Sequence, residues 1–148
     1  MRPISGSFRL LSLLSVPVAA LSVGCSNPGE DVRLTLCRDM VRVTLGSEPN
    51  WRDQSIEPRR QSEAEARLSW TGTDGKTGQA SCYYPYNAVE NDMFTAADPL
   101  AAYSTSPTRF VLDGRSISNP ELARVIGQAM RQQGREFLDR ARATLEGR

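Results

Sequence analysis

The chain of 148 residues contains no histidine. That absence removes imidazole general bases, histidine metal ligands and every Ser-His or Cys-His nucleophile arrangement. Lysine occurs once, at Lys76, so arginine carries nearly all of the positive charge. No cluster of arginines forms a basic stripe, and formal net charge is only +1, so the sequence offers no electrostatic footprint for nucleic acid. Long hydrophobic runs are missing too. The most apolar stretch, from Leu10 to Gly24, covers 15 residues and is interrupted by Pro17, whereas a spanning helix needs about 20. There is no C-x-x-C pair, no spaced set of metal ligands and no phosphate loop. Gly75-Lys76-Thr77 has tryptophan, not glycine, five residues before Gly75, and its flanks alternate like strands.

What is present begins at the N-terminus. Arg2 and Arg9 flank the start of the apolar stretch, which ends in Leu21-Ser22-Val23-Gly24-Cys25. A basic n-region, a short apolar core and a small residue before cysteine resemble a bacterial lipoprotein signal. Ser22 stands where that pattern has leucine, and Leu21 sits one place early. The resemblance implies removal of residues 1–24, lipid on Cys25, and a membrane partner through that N-terminal lipid. It implies no fold for the remaining chain. Ser26, in place of the aspartate that retains lipoproteins at the inner membrane, implies an outer-membrane protein facing the periplasm in a Gram-negative source. The alternatives are plain secretion to the periplasm with cleavage after Ala20, and a segment retained as an N-terminal anchor. That cut leaves three cysteines in an exported chain, one unpaired. Lipid on Cys25 leaves an even pair. Residues 25–29 then read as a lipidated tether and residues 30–148 as a single domain. Of the 18 basic residues, Arg2 and Arg9 leave with the signal, so 16 face 17 acids in the mature chain.

Within residues 30–45, Leu36 and Met40, Cys37 and Val41, and Val41 and Leu45 have helical spacing, with Gly46 as a stop. Alternation at Val32, Leu34 and Leu36 keeps a strand open as the alternative. Pro49 and Pro58 bracket a short edge strand over residues 51–56. From Glu63 on, Ala64, Ala66, Leu68 and Trp70 alternate with polar residues, and Ala80, Cys82 and Tyr84 do so after a turn. A three-residue turn, Thr73-Asp74-Gly75, pairs Leu68 with Ala80 and Ala66 with Cys82. A two-residue turn would place apolar beside polar on one face. Cys37 on the helix and Cys82 on the inner strand face are therefore expected to form a disulfide, the outcome that an oxidising compartment favours.

Residues 87–108 lack periodicity, and Phe94, Leu100 and Tyr103 are their sizeable apolar anchors. Residues 109–118 read as a second hairpin in which Asp113-Gly114 pairs Phe110 with Ile117. Pro120 and Glu121 open the longest helix, with Ser118 or Asn119 as its cap. Leu122, Val125, Ile126, Ala129, Met130, Phe137, Ala141 and Leu145 are expected to form one apolar stripe. A helix over 120–145 would be about 39 Å long and would overhang a small sheet.

The fold class expected is α+β: an N-terminal helix, a small antiparallel sheet of hairpins and a long C-terminal helix packed on the sheet. Trp51, Tyr83, Tyr86, Phe94 and Tyr103 form the candidate binding surface, as aromatics able to stack on a glycan or a partner. The function expected is that of a lipid-anchored, non-catalytic envelope protein working through an envelope protein or peptidoglycan, with no cofactor, no metal and no nucleic-acid partner. Two alternatives stay open. One is a small-ligand or glycan binder or a cell-wall hydrolase, the other a periplasmic inhibitor or immunity-type protein.

Overall fold

The computed structural model describes residues 29–59, 62–87 and 98–147. Helix α1 spans Val32–Leu45. It starts where the Asp31 carboxylate accepts the Arg33 N–H at 2.8 Å, satisfying one of the helix's orphan donors. It stops at Gly46, whose left-handed backbone (φ +70°) lets its N–H reach the Arg42 carbonyl at 2.8 Å. The helical spacing thus prevails over the strand alternative, and Leu36, Cys37, Met40 and Val41 face the core.

Five strands follow: β1 (Asn50–Arg59), β2 (Glu63–Thr71), β3 (Thr77–Pro85), β4 (Arg109–Leu112) and β5 (Arg115–Ser116). They lie side by side in sequence order, each antiparallel to the next. The first strand is longer than the 51–56 edge strand that the prolines suggested. Pro58 is accommodated within it, opposite Ala64, because an edge strand leaves alternate N–H groups without ladder partners and loses little at proline.

Both hairpins take the expected registers. Leu68 lies opposite Ala80 and Ala66 opposite Cys82. The turn closes with Gly72 N–H on the Lys76 carbonyl at 2.7 Å, and Gly75 takes φ +79°. In the second hairpin Asp113 and Gly114 both have positive φ, the signature of a two-residue turn matched to strand twist. Ile117 N–H then reaches the Phe110 carbonyl at 2.8 Å.

Both helices cover one face of the sheet. Ala64, Ala66, Leu68 and Trp70 of β2, Ala80, Cys82 and Tyr84 of β3, and Phe110 and Leu112 of β4 form that face and share one core with α1. A disulfide joins Cys37 of α1 to Cys82 of β3, 45 residues apart. The Tyr84 phenol, fully buried, donates to the Arg33 carbonyl at 2.6 Å. Burial drives its pKa well above the ordinary phenol range.

Helix α2 spans Asn119–Glu146 and packs on the same core. Ser118 occupies the cap position with extended backbone, but its side chain makes no capping bond. The expected single stripe is corrected here. Leu122, Val125 and Ala129 are buried, whereas Met130, Phe137, Leu138 and Leu145 are 58%, 63%, 63% and 74% exposed. The reason is length. Twenty-eight residues of helix extend about 42 Å, while a nine-residue strand extends about 30 Å. The second half of α2 therefore runs past its support.

Candidate functional site

The face of the sheet that carries no helix is the first candidate. The period of two that turns Ala64, Ala66 and Leu68 inward turns Glu63, Glu65 and Arg67 outward. Register then brings distant residues together: Tyr83 lies opposite Glu65, Arg109 opposite Tyr83, and Arg59 opposite Glu63. Glu65 is only 5% exposed although it stands on the open face. Its Oε2 accepts from Arg59 Nη1 at 3.1 Å and lies 3.2 Å from Arg67 Nε. Burial alone would raise the carboxyl's pKa. Hydrogen bonds from Tyr83 and Ser81 and the charge of Arg67 outweigh that burial and hold it below the ordinary value. Glu65 is thus a carboxylate at neutral pH and serves as an acceptor beneath a layer of guanidinium groups.

Tyr83 is the centre of that layer. The Arg109 guanidinium carbon sits 3.6 Å from the ring centroid, within stacking distance, and Arg59 lies 5.9 Å away. Arg109 Nη2 is also 3.3 Å from both oxygens of Glu63. The side chains of Arg59, Arg67 and Arg109 are about half exposed. Their guanidinium groups are held by the Tyr83 ring and the acids, and the half-exposed side chains stay accessible to solvent. Such a surface can bind carboxylate or phosphate groups in fixed directions.

The second candidate is a groove of about 800 Å³ between α1 and the second half of α2. Val32, Leu36, Met130 and Phe137 line it, with Glu30, Arg38, Asp39 and Arg42 among its charged residues. Those acids have partners already. Glu30 accepts from Arg38 at 3.0 Å and 3.1 Å, and Asp39 accepts from Arg42 at 2.8 Å and from Gln133 at 2.6 Å. Among the described residues, no group of histidine, cysteine, aspartate and glutamate is arranged to hold a metal ion.

No family model, curated protein or solved structure matches this chain.

The aromatic residues singled out in the sequence occupy separate places. Trp51 packs edge-on to Trp70 at 6.0 Å, and its indole N–H donates to Glu48 at 2.7 Å. It lies on the helix side, near the start of β3, since Trp70 opposes Gly78. Tyr86 and Tyr103 form an edge-to-face pair at 5.6 Å beyond the other end of β3. Eight residues of strand separate these two places, about 26 Å. Of the singled-out residues that are described, only Tyr83 belongs to the arginine-bearing face. Phe94 and Cys25 lie outside the described residues.

Two residues escaped the sequence reading. Arg33 is buried, and its guanidinium donates to Ser104 O at 3.0 Å, Leu100 O at 2.6 Å, the Tyr103 carbonyl and Asp31 at 2.8 Å. It fastens the segment after residue 98 to the start of α1. A signal for it exists, since Arg33, Cys37 and Met40 share one helix face by spacing. Glu65 had no such signal, because three of its four partners, Arg59, Ser81 and Tyr83, lie on other strands.

Proposed function

We propose that this is a lipid-anchored, non-catalytic protein of the bacterial cell envelope that works by protein or cell-wall contacts made through the open face of its sheet. The observation that carries the reading is the layer of Arg59, Arg67 and Arg109 around Tyr83 and over Glu63 and Glu65, three half-exposed arginines held in place by the ring and the acids. Their free donors suit the carboxylates of peptidoglycan stem peptides or an acidic patch on an envelope protein. The signal-like N-terminus supplies the anchor, with lipid on Cys25. The Cys37–Cys82 bond supports the same compartment, because structural disulfides persist where the surroundings are oxidising. Serine at position 26 favours the outer membrane, with the domain in the periplasm.

Two measurements test this. Intact-mass analysis of the membrane fraction, with and without reductant, is expected to find diacyl- or triacyl-modified Cys25 and one disulfide. A mature chain starting at Leu21 without lipid would overturn the anchor. The anchored protein is expected to be retained on purified sacculi or to recover an envelope partner from detergent extracts. Retention should fall at least tenfold in a chain carrying Arg67→Glu and Arg109→Glu. Retention indifferent to those substitutions, or none at all, would overturn the contact face.

A further inference from the structure

The second half of α2 has a surface that the core does not use. At about 100° per residue, Met130, Phe137, Leu138, Ala141 and Leu145 fall within one arc of about 100° on the helix circumference. This arc is turned about 135° from the direction of Leu122, Val125 and Ala129, the residues that face the core. All five of its members are exposed. The charges around it are sorted. Arg131, Arg135 and Arg142 border one edge and Arg140 lies toward the other, while Glu136, Asp139 and Glu146 occupy the opposite side of the helix.

We infer that this half of α2 lies on an anionic phospholipid surface, its apolar arc sunk to the level of the acyl chains and its flanking arginines among the headgroups. An interfacial helix has this pattern, because arginine stems extend along the apolar surface while the guanidinium groups reach phosphate. A second copy of the chain is the rival occupant, and charge argues against it. Arginine lies toward both edges, so pairing two such arcs, parallel or antiparallel, sets arginine against arginine with the acids turned away. Anionic lipid is complementary at both edges.

The point where the chain enters the domain agrees. Glu30 and Val32 line the same groove as Phe137 and Arg140. Cys25 precedes Glu30 by five residues, a reach of at most about 18 Å. An anchor there leaves the arc within reach of the bilayer. The inference rests on the envelope reading for the presence of a membrane, but it needs no lipid on Cys25.

The test therefore uses an unlipidated chain of residues 26–148, which contains every described helix and strand and the disulfide. Vesicles of phosphatidylglycerol with phosphatidylethanolamine are compared with vesicles of phosphatidylcholine alone. The chain is expected to bind the anionic vesicles more tightly, with affinity falling as salt rises. Phe137→Asp with Leu145→Asp should weaken binding at least tenfold, and Arg135→Glu with Arg142→Glu should abolish the anionic preference. All four positions are exposed, so circular dichroism should show the fold intact. Three results would overturn the inference: no binding to anionic vesicles, binding indifferent to these substitutions, or a dimer in sedimentation that Phe137→Asp dissociates. Lipid on Cys25 is read separately by mass, so the anchor and this surface fail independently.

Discussion

The two helices divide the work of the domain unequally, and the longer one does less of the packing. Helix α1 has 14 residues and buries Arg33, Leu36, Cys37, Asp39, Met40 and Val41. Helix α2 has 28 and buries Leu122, Val125 and Ala129. The shorter helix is also capped by a side chain, closed by a left-handed glycine and bonded to the sheet through sulfur. The longer has no side-chain cap and projects an apolar surface into water. Length in a helix is thus a poor measure of its part in the core. Where length exceeds what the core uses, burial does not account for the surplus.

The comparison breaks first at the disulfide. Replacing Cys37 and Cys82 with alanine should cost about 4 kcal/mol by the loop-entropy estimate, the largest single effect available. Denaturant unfolding with and without reductant measures it. A loss near zero would mean that α1 holds its place by packing alone. Arg33→Met comes next, at about 3 kcal/mol. It takes the guanidinium donors away from the carbonyls of Leu100, Tyr103 and Ser104 and the ion pair away from Asp31. Amide exchange should show residues 100–104 losing protection before the sheet does.

How much of this was legible in the sequence follows from how far apart the deciding residues lie. Both hairpin registers could be derived, because Asp74-Gly75 and Asp113-Gly114 choose their turns locally and alternation fixes the faces. The disulfide followed from the same alternation together with the α1 spacing. The extent of β1 did not, since Pro58 reads as a break until its strand is known to be an edge. The apolar positions of α2 read as one stripe because helical spacing tolerates drift, and only the position of the sheet separates its core-facing residues from the exposed arc. The cluster around Glu65 was invisible for a different reason. It is assembled by register across four strands, and each member alone looks like an ordinary solvated charge.

The open face provides a reference that involves neither helix. Glu65→Gln should cost about 1 to 2 kcal/mol at neutral pH, because the buried acceptor keeps its place but loses its charge beneath half-exposed arginines. The sign of the pH dependence follows from the lowered pKa. Unfolded glutamate titrates near about 4.3, and the folded value lies below the ordinary one. The contribution is therefore fully present above the unfolded value and is lost as pH falls through the folded one. Stability measured from neutral pH into acid should fall less steeply in Glu65→Gln. An unchanged slope would show that the arginines do not hold the carboxylate.

Ending the chain after Gly134 should change global stability by less than about 1 kcal/mol, since the described residues removed, 135–147, are all exposed. Vesicle binding should vanish with them. A loss several times larger would place the second half of α2 in the folding core and erase the contrast with α1.

Gly134→Ala is the mildest and most discriminating change. A Cβ at this position meets nothing within 4 Å, and the glycine lies in the exposed half of α2. Alanine should favour the helix locally by up to about 1 kcal/mol. Where that gain appears decides how α2 is coupled to the domain. If the second half opens independently, helicity and local amide protection rise while the global midpoint stays fixed. Should the midpoint rise by the full amount, the helix unfolds as one unit with the core. The first outcome fits a segment ordered largely by the surface it meets, and binding to anionic vesicles should then tighten in Gly134→Ala because less ordering remains to be done there.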